Sequence, residues 1–386
     1  MTRILTIDIG TGTQDIFLFD SHLDIENGFK MVVPSPTMLV RRRLQEATRC
    51  GEAVLLSGVT MGGGPCAWAA EDHARKGLPI YATPDAARTL NDDLSAVQSL
   101  GITVVSEDEA GRLPDSVVRL EMRDFDFAAI AKAFSQFDVS LVKLNGVAVA
   151  VFDHGAAPPG ISDRQFRFDY LDQRIRKGNR LSTFAFRSED IPPIMTRMQA
   201  VAATAEGIDA PLIVMDTAPA AVLGACYDPL VAEKERKLIV NIGNFHTLSF
   251  RLGVQGIEGV FEHHTGFMDL PKLENYLRGL ADGSISRDEV FGDHGHGALV
   301  YNHEPLSLGT GSFDVAVTGP RRSLYQLPKG APVPSLKPYF AVPFGDMMIA
   351  GCFGLLAATA DLLPELTEPI HRALKGGIRQ TAAPWD

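Results

Sequence analysis

Cysteine is scarce. The 386 residues hold four, Cys50, Cys66, Cys226 and Cys352, far apart and without a C-x-x-C pair. That spacing excludes a disulfide framework and is what free, mostly buried thiols in a reducing compartment would show. Long apolar runs are missing too. The best stretch, Met347–Ala358, is broken by glycine and too short for a membrane span. No charged-then-apolar leader precedes the strand-like Ile4-Leu5-Thr6-Ile7, so a cytoplasmic protein is expected. Positive charge is in deficit, with 36 Lys and Arg against 47 Asp and Glu and a net charge of -11. A nucleic-acid surface needs a basic footprint, and anionic membranes attract one, so neither is an expected partner. The short clusters Arg41–Arg43 and Arg321–Arg322 read as solvated faces or single anion contacts.

What is present is an ordinary globular balance, 45% apolar and 22% charged, in a chain long enough for two or more domains. Two segments share one pattern. In each, an apolar β run leads to an acid or amide, a glycine-containing turn and a second β run. The first is Ile4–Phe19, turning at Asp8-Ile-Gly10-Thr11-Gly12-Thr13-Gln14-Asp15; the second is Leu238–Phe250, turning at Asn241-Ile-Gly243-Asn244-Phe245-His246-Thr247. The repetition half a chain apart implies a duplicated architecture. Between them strands alternate with helices. Strands are expected at Ala53–Ser57, Ile80–Ala82, Val147–Phe152 and Leu212–Met215, and helices at Trp68–Arg75, Phe127–Phe137 and Ile191–Ala205. Gly155–Gly178, rich in proline, glycine and arginine, is expected to be a loop or lid. Its arginines 164, 167, 174 and 176 are expected to be solvated beside Asp163, Asp169 and Asp172. The tail from Gly376 is weakly patterned.

The turns carry a chemical logic. Glycine lets backbone N–H groups approach an anion closely, threonine adds hydroxyl donors, and a carboxylate at a strand end can hold Mg²⁺. An ordinary Gly-Thr hairpin with a surface acid has the same letters, so the turn alone leaves both readings open.

Five elements taken in order resemble the actin-like ATPase superfamily of actin, Hsp70 and sugar kinases. Asp8–Asp15 resembles its first phosphate motif and Asn241–Thr247 its second. Met215–Ala225 and Pro343–Leu356 resemble its two connecting helices, and Phe313–Arg322 its adenosine strand and turn. The whole chain is most similar to a prokaryotic family within that superfamily whose members are sometimes labelled as pyruvate formate-lyase activating enzymes. An iron–sulfur radical enzyme needs three closely spaced thiolates, which these cysteines do not offer. The resemblance implies two RNase H-like α/β lobes, about residues 1–210 and 211–386, around a nucleotide cleft. It implies ATP and Mg²⁺ as cofactors and an ATPase or phosphotransferase acting on a small molecule or a partner enzyme. On this reading Asp8 positions Mg²⁺. Gly10, Thr11, Gly12, Thr13, Gln14, Gly243, Asn244 and Thr247 hold phosphates, and Thr318, Gly319 and Pro320 contact adenosine. Asp8, Asn241 and His246 are the catalytic candidates. The second phosphate turn of the family usually begins with Asp; here Asn241, which cannot act as a base and is a poorer Mg²⁺ ligand, stands there. A nucleotide-responsive switch without efficient turnover is therefore a further expectation.

The resemblance leaves the histidines unexplained. His154, His263, His264, His294 and His296 sit beside acids and glycines at strand ends or turns. A metal-dependent enzyme is the rival reading, with His263, His264, His294 and His296 as ligands to zinc or iron. Turn histidines that satisfy backbone groups are the other reading.

Overall fold

The computed structural model describes residues 1–326 and 333–376; the tail beyond Gly376 lies outside the described residues. Two six-stranded sheets form its frame, each begun by one of the repeated hairpins. In the first, Arg3–Ile9 pairs antiparallel with Thr13–Asp20, which pairs with Phe29–Pro34. On its other side Arg3–Ile9 lies parallel to Gly146–Val151, then come Leu212–Asp216 and Ala185–Arg187. In the second, Lys237–Ile242 pairs antiparallel with His246–Gly253, which pairs with Gly256–His264 and then Gly297–Val300. Its other side meets Val315–Thr318 and Pro338–Phe340 in parallel. The shared order, three antiparallel strands followed by two parallel ones, is the duplication read from the hairpins. Nearly every residue of the central strands is buried, as expected of sheets covered on both faces. The chain thus has the two α/β lobes expected of it.

Strand Leu212–Asp216 is hydrogen-bonded within the first sheet. A third sheet, four parallel strands made of Thr103–Val104, Ile80–Ala82, Val54–Gly58 and Val118–Met122, is inserted into the first lobe with its own apolar core.

Two helices join the lobes. Thr217–Ala225 leaves the first sheet, capped by Asp216, whose carboxylate accepts the Ala218 N–H. Ala350–Leu362 runs beside it, beginning later than the sequence suggested because Pro343–Gly345 forms a separate short turn. Both are rich in alanine and glycine, and they cross at glycines. A β carbon on Gly224 would lie 1.7 Å from the Ala350 carbonyl oxygen, and one on Gly354 would lie 1.9 Å from that of Ala220. Only backbone separates the helices there.

The expected loop at Gly155–Gly178 is irregular only as far as Ser162, and Asp163–Gly178 is a helix. Its buried stripe is Arg167, Phe168, Leu171 and Ile175, a helical spacing disguised by an arginine in a core position. Arg176 does pair with Asp172 at 2.9 Å on the exposed face, whereas Arg167 is sequestered.

Candidate functional site

A cleft of about 990 Å³ opens between the lobes, and both repeated turns line it. They close identically: Gly10 N–H donates to Thr13 O and Gly243 N–H donates to His246 O, each at 2.9 Å. They also face one another, since a β carbon at Gly12 would come within 3.0 Å of Asn244 Nδ2. Gly10, Thr11, Gly12, Thr13, Gly243, Asn244, Asn241, His246 and Asp8 all lie on the wall, as do Thr318, Gly319 and Pro320. Gly319 has φ 97° and lies where a β carbon would stand 2.6 Å from Asn241 Oδ1, so only glycine fits that turn against the amide.

Two of the expected phosphate contacts lie elsewhere. Gln14 turns to the neighbouring strand, its Nε2 donating to Pro34 O at 3.3 Å. Thr247 is fully buried and shares a hydrogen bond with the Thr265 hydroxyl at 2.9 Å. Strand alternation explains both, because each is next to a residue, Thr13 or His246, that faces the cleft.

Asp8 has a neighbour that the sequence did not single out. Asp15 is its direct cross-strand partner, and both carboxylates face the cleft. Burial pushes Asp8 up to about 7, with the Asp216 charge adding to the effect and a 2.5 Å hydrogen bond from Thr217 Oγ1 opposing it. Burial and then the Asp8 charge push Asp15 up to about 8. Oδ1 of Asp15 is buried without a hydrogen-bond partner. The N-terminal turn of Ala350–Leu362 abuts Asp8, for a β carbon on Gly351 would sit 1.9 Å from its Oδ2. The helix dipole there favours the ionised form. Two opposed carboxylates short of positive charge, one with an orphaned oxygen, fit a hard divalent cation such as Mg²⁺.

The inserted sheet supplies the far wall. Its Gly62–Gly64 turn is tied to the first lobe through Asp124, which accepts the Gly62 N–H and pairs with Arg197 at 2.7 Å. Arg197 also donates to Phe152 O at 2.6 Å. Trp68 packs edge-on against Phe245 of the second turn, ring centroids 5.5 Å apart, so inserted sheet and second lobe touch across the mouth.

Below the second turn lies a buried polar network. Arg167 donates through Nε to both oxygens of Glu262 at 3.0 Å, and through Nη1 to Asp216 at 2.7 Å and Asp153 O at 2.9 Å. Its guanidinium lies 3.9 Å above the Phe152 ring. Burial alone would raise the Glu262 carboxyl, but Arg167 and the nearby imidazoles outweigh it and hold Glu262 well below the usual carboxylate range.

The histidines sort into two groups. His263 is spent on structure, its ring nitrogens lying 3.0 Å from His264 O and 2.8 Å from Asp293 O. His294 is exposed on a left-handed backbone, its ring 5.4 Å from that of Phe267. Neither serves as the metal ligand expected of it. The convergent set is instead His154, His246 and His296, with one ring nitrogen of each within 4.8 Å of the others. His264 flanks them, its ring 5.0 Å from His246 and 4.8 Å from His296. Burial lowers three of these imidazoles: His296 to about 3, His264 to about 4, and His154 well below its ordinary value.

Comparison with known proteins places the chain. Residues 61–324 match the DUF1786 family, described as "Putative pyruvate format-lyase activating enzyme". The chain belongs to that family. Three solved structures are among those to which the chain is similar. A ROK hexokinase from Thermus thermophilus shares 10% identity over 66% of this chain and 47% of its own, with a TM-score of 0.25. An inorganic polyphosphate/ATP-glucomannokinase from Arthrobacter sp. strain KM shares 12% over 95% and 99%, with a TM-score of 0.35. An exopolyphosphatase-like protein shares 9% over 98% and 92%, with a TM-score of 0.28. A search of curated proteins found no match.

The activating-enzyme description is not supported by the thiols of this DUF1786 member. Cys50 ends the Pro36–Cys50 helix and Cys66 lies in Pro65–Arg75. Cys226 follows the first connecting helix and Cys352 lies within the second. No three of them converge, and among the described residues the histidine triad is the group of metal-ligating side chains that does. An iron–sulfur cluster therefore does not fit this chain. Among the described residues, no helix is long and apolar enough to cross a membrane.

Proposed function

We propose that this protein binds Mg-ATP in the interlobe cleft and acts as an ATPase or phosphotransferase on a small molecule or a partner enzyme. The observation that carries the reading is the pair of identically closed turns, Gly10–Thr13 and Gly243–His246, facing each other above two opposed carboxylates. Backbone N–H groups and the Thr11 and Thr13 hydroxyls would cradle phosphates, and Thr318–Pro320 would take the adenosine. Asp8 and Asp15 would hold Mg²⁺. When bound, the ion neutralises charge on the phosphates. Phosphoryl transfer depends chiefly on positioning and charge neutralisation, so this chain's contribution is to hold the anion in line with an acceptor and exclude water. The space between the inserted sheet and the second turn, walled by Gly62–Gly64 and Arg88, is suited to that acceptor. A cytoplasmic setting belongs to the same reading, as ATP and free thiols are at home there.

Asn241 supports a second reading, a switch that binds nucleotide and closes without efficient turnover, because the amide cannot take a proton from an acceptor. A zinc or iron ion at the histidines is compatible with either reading. Calorimetric titration with ATP and ADP, with and without Mg²⁺, tests the cleft, and a phosphate-release assay separates the two readings. Micromolar Mg-dependent binding supports both. Release above the uncatalysed rate selects the enzyme, and absence of binding removes both.

A further inference from the structure

We infer that His154, His246 and His296 form a transition-metal site, of the class that takes Zn²⁺ or Fe²⁺, with its open coordination position directed into the cleft. The three residues come from separate parts of the fold. His154 follows strand Gly146–Val151 of the first sheet, His246 opens the second strand of the second sheet, and His296 precedes that sheet's edge strand. Their ring nitrogens nevertheless converge within 4.8 Å of one another. Both ring nitrogens of His296 are buried without a hydrogen-bond partner in a fully buried side chain. A buried imidazole with no partner at either nitrogen bears the full cost of taking both polar groups out of water. One such ring, with nitrogens of two more histidines converging on it, is explained by a ligand that accepts lone pairs from all three. That ligand is a borderline-soft cation, for imidazole suits zinc and iron while magnesium prefers oxygen.

The surroundings complete the site. Glu262, fully buried and held by Arg167, lies 3.2 Å from His246 Nδ1, the kind of carboxylate support that orients a ligating imidazole. The Phe152 ring stacks on His246 at 4.1 Å and fixes its plane. His154 and His246 line the cleft whereas His296 lies behind them, so the cleft side is where a fourth ligand would enter. Three protein ligands with one open position are the pattern of catalytic rather than structural metal. The fourth ligand is an oxygen, from water or from a hydroxyl or carboxylate of the substrate.

Resting on the nucleotide reading above, the same site supplies what Asn241 lacks. His246 closes the second phosphate turn, so a metal held there lies beside the bound phosphates. A hydroxyl taken up by that metal would become more acidic, and this is the activation of an acceptor that Asn241 cannot give.

The test is metal content by mass spectrometry of protein purified without chelator, followed by removal of the metal and titration with Co²⁺, read by visible absorption. About one Zn or Fe per chain, or one Co²⁺ bound with the absorption of imidazole ligation, is expected. His154→Ala, His246→Ala and His296→Ala should each abolish stoichiometric binding, and His294→Ala, which alters an exposed ring, should keep it. His296→Asn serves if the alanine variants do not fold. Folded wild-type protein that takes up none of Zn²⁺, Fe²⁺ or Co²⁺ would overturn the site, as would triad variants that hold metal as tightly as wild type. Nucleotide titration on the same samples reports on the phosphate turns independently, so loss of one result leaves the other standing.

Discussion

Replacing Asp15 by asparagine should stabilise the metal-free protein, and increasingly so as the pH rises. Asp8 and Asp15 face each other across the first hairpin with native values of about 7 and about 8 against an ordinary 3.8. The folded state therefore holds protons that the unfolded chain releases above about pH 4. The sign follows directly: this contribution favours folding below that pH and is lost as the pH climbs through 4 to 8. Each unit is worth about 1.4 kcal/mol per proton, so Asp15 alone corresponds to roughly 4 kcal/mol between pH 5 and pH 8. Part of its shift comes from the Asp8 charge and belongs to the pair, and halving the figure leaves about 2 kcal/mol. Urea unfolding in the presence of chelator at pH 5 and pH 8 measures it. Wild type should lose about 2 kcal/mol more than Asp15→Asn over that interval. Mg²⁺ added at pH 8 should restore wild type and leave the variant little changed. Parallel pH dependences for the two proteins would show that these carboxylates are not coupled in a buried site.

Asp8→Ala should abolish Mg-dependent nucleotide binding in folded protein; unchanged affinity by calorimetry would refute the assignment. Gly319→Ala places a β carbon 2.6 Å from Asn241 Oδ1 at φ 97°, and should weaken nucleotide at least about tenfold and lower stability by about 1–3 kcal/mol, read by titration and urea unfolding. Arg167→Ala leaves Glu262 and Asp216 buried without their cation and should cost about 3–5 kcal/mol by urea unfolding. Trp68→Ala removes the ring against Phe245 and should raise the hydrogen-exchange rate of the Gly62–Gly64 turn while leaving the unfolding midpoint within about 1 kcal/mol.

Legibility in the sequence followed locality. The hairpins could be read because alternating apolar residues and turn glycines lie within sixteen residues of one another. The strands of the inserted sheet were legible as strands, but not as a sheet of their own, since pairing partners are not written in periodicity. Asp163–Gly178 was misread because Arg167 occupies a core position that only Glu262 and Asp216, 95 and 49 residues away, make tolerable. Neighbourhood in sequence favours His263, His264, His294 and His296. The structure gathers His154, His246 and His296 through sheet topology instead, and spends His263 on backbone carbonyls. Asp15 was passed over because cross-strand opposition to Asp8 depends on the register of the turn.

The crossing of the two connecting helices sets how the molecule can move. At Gly224 and Gly354 the contact is backbone against backbone. A small rotation about those two points meets no side chain of either glycine, so the crossing is suited to be a fulcrum. Gly351 lies three residues from that fulcrum and against Asp8, so tilting one lobe shifts a helix terminus relative to the carboxylate that would hold the ion. On the Mg²⁺ reading, opening the cleft and loosening the grip on that cation would be, mechanically, one displacement.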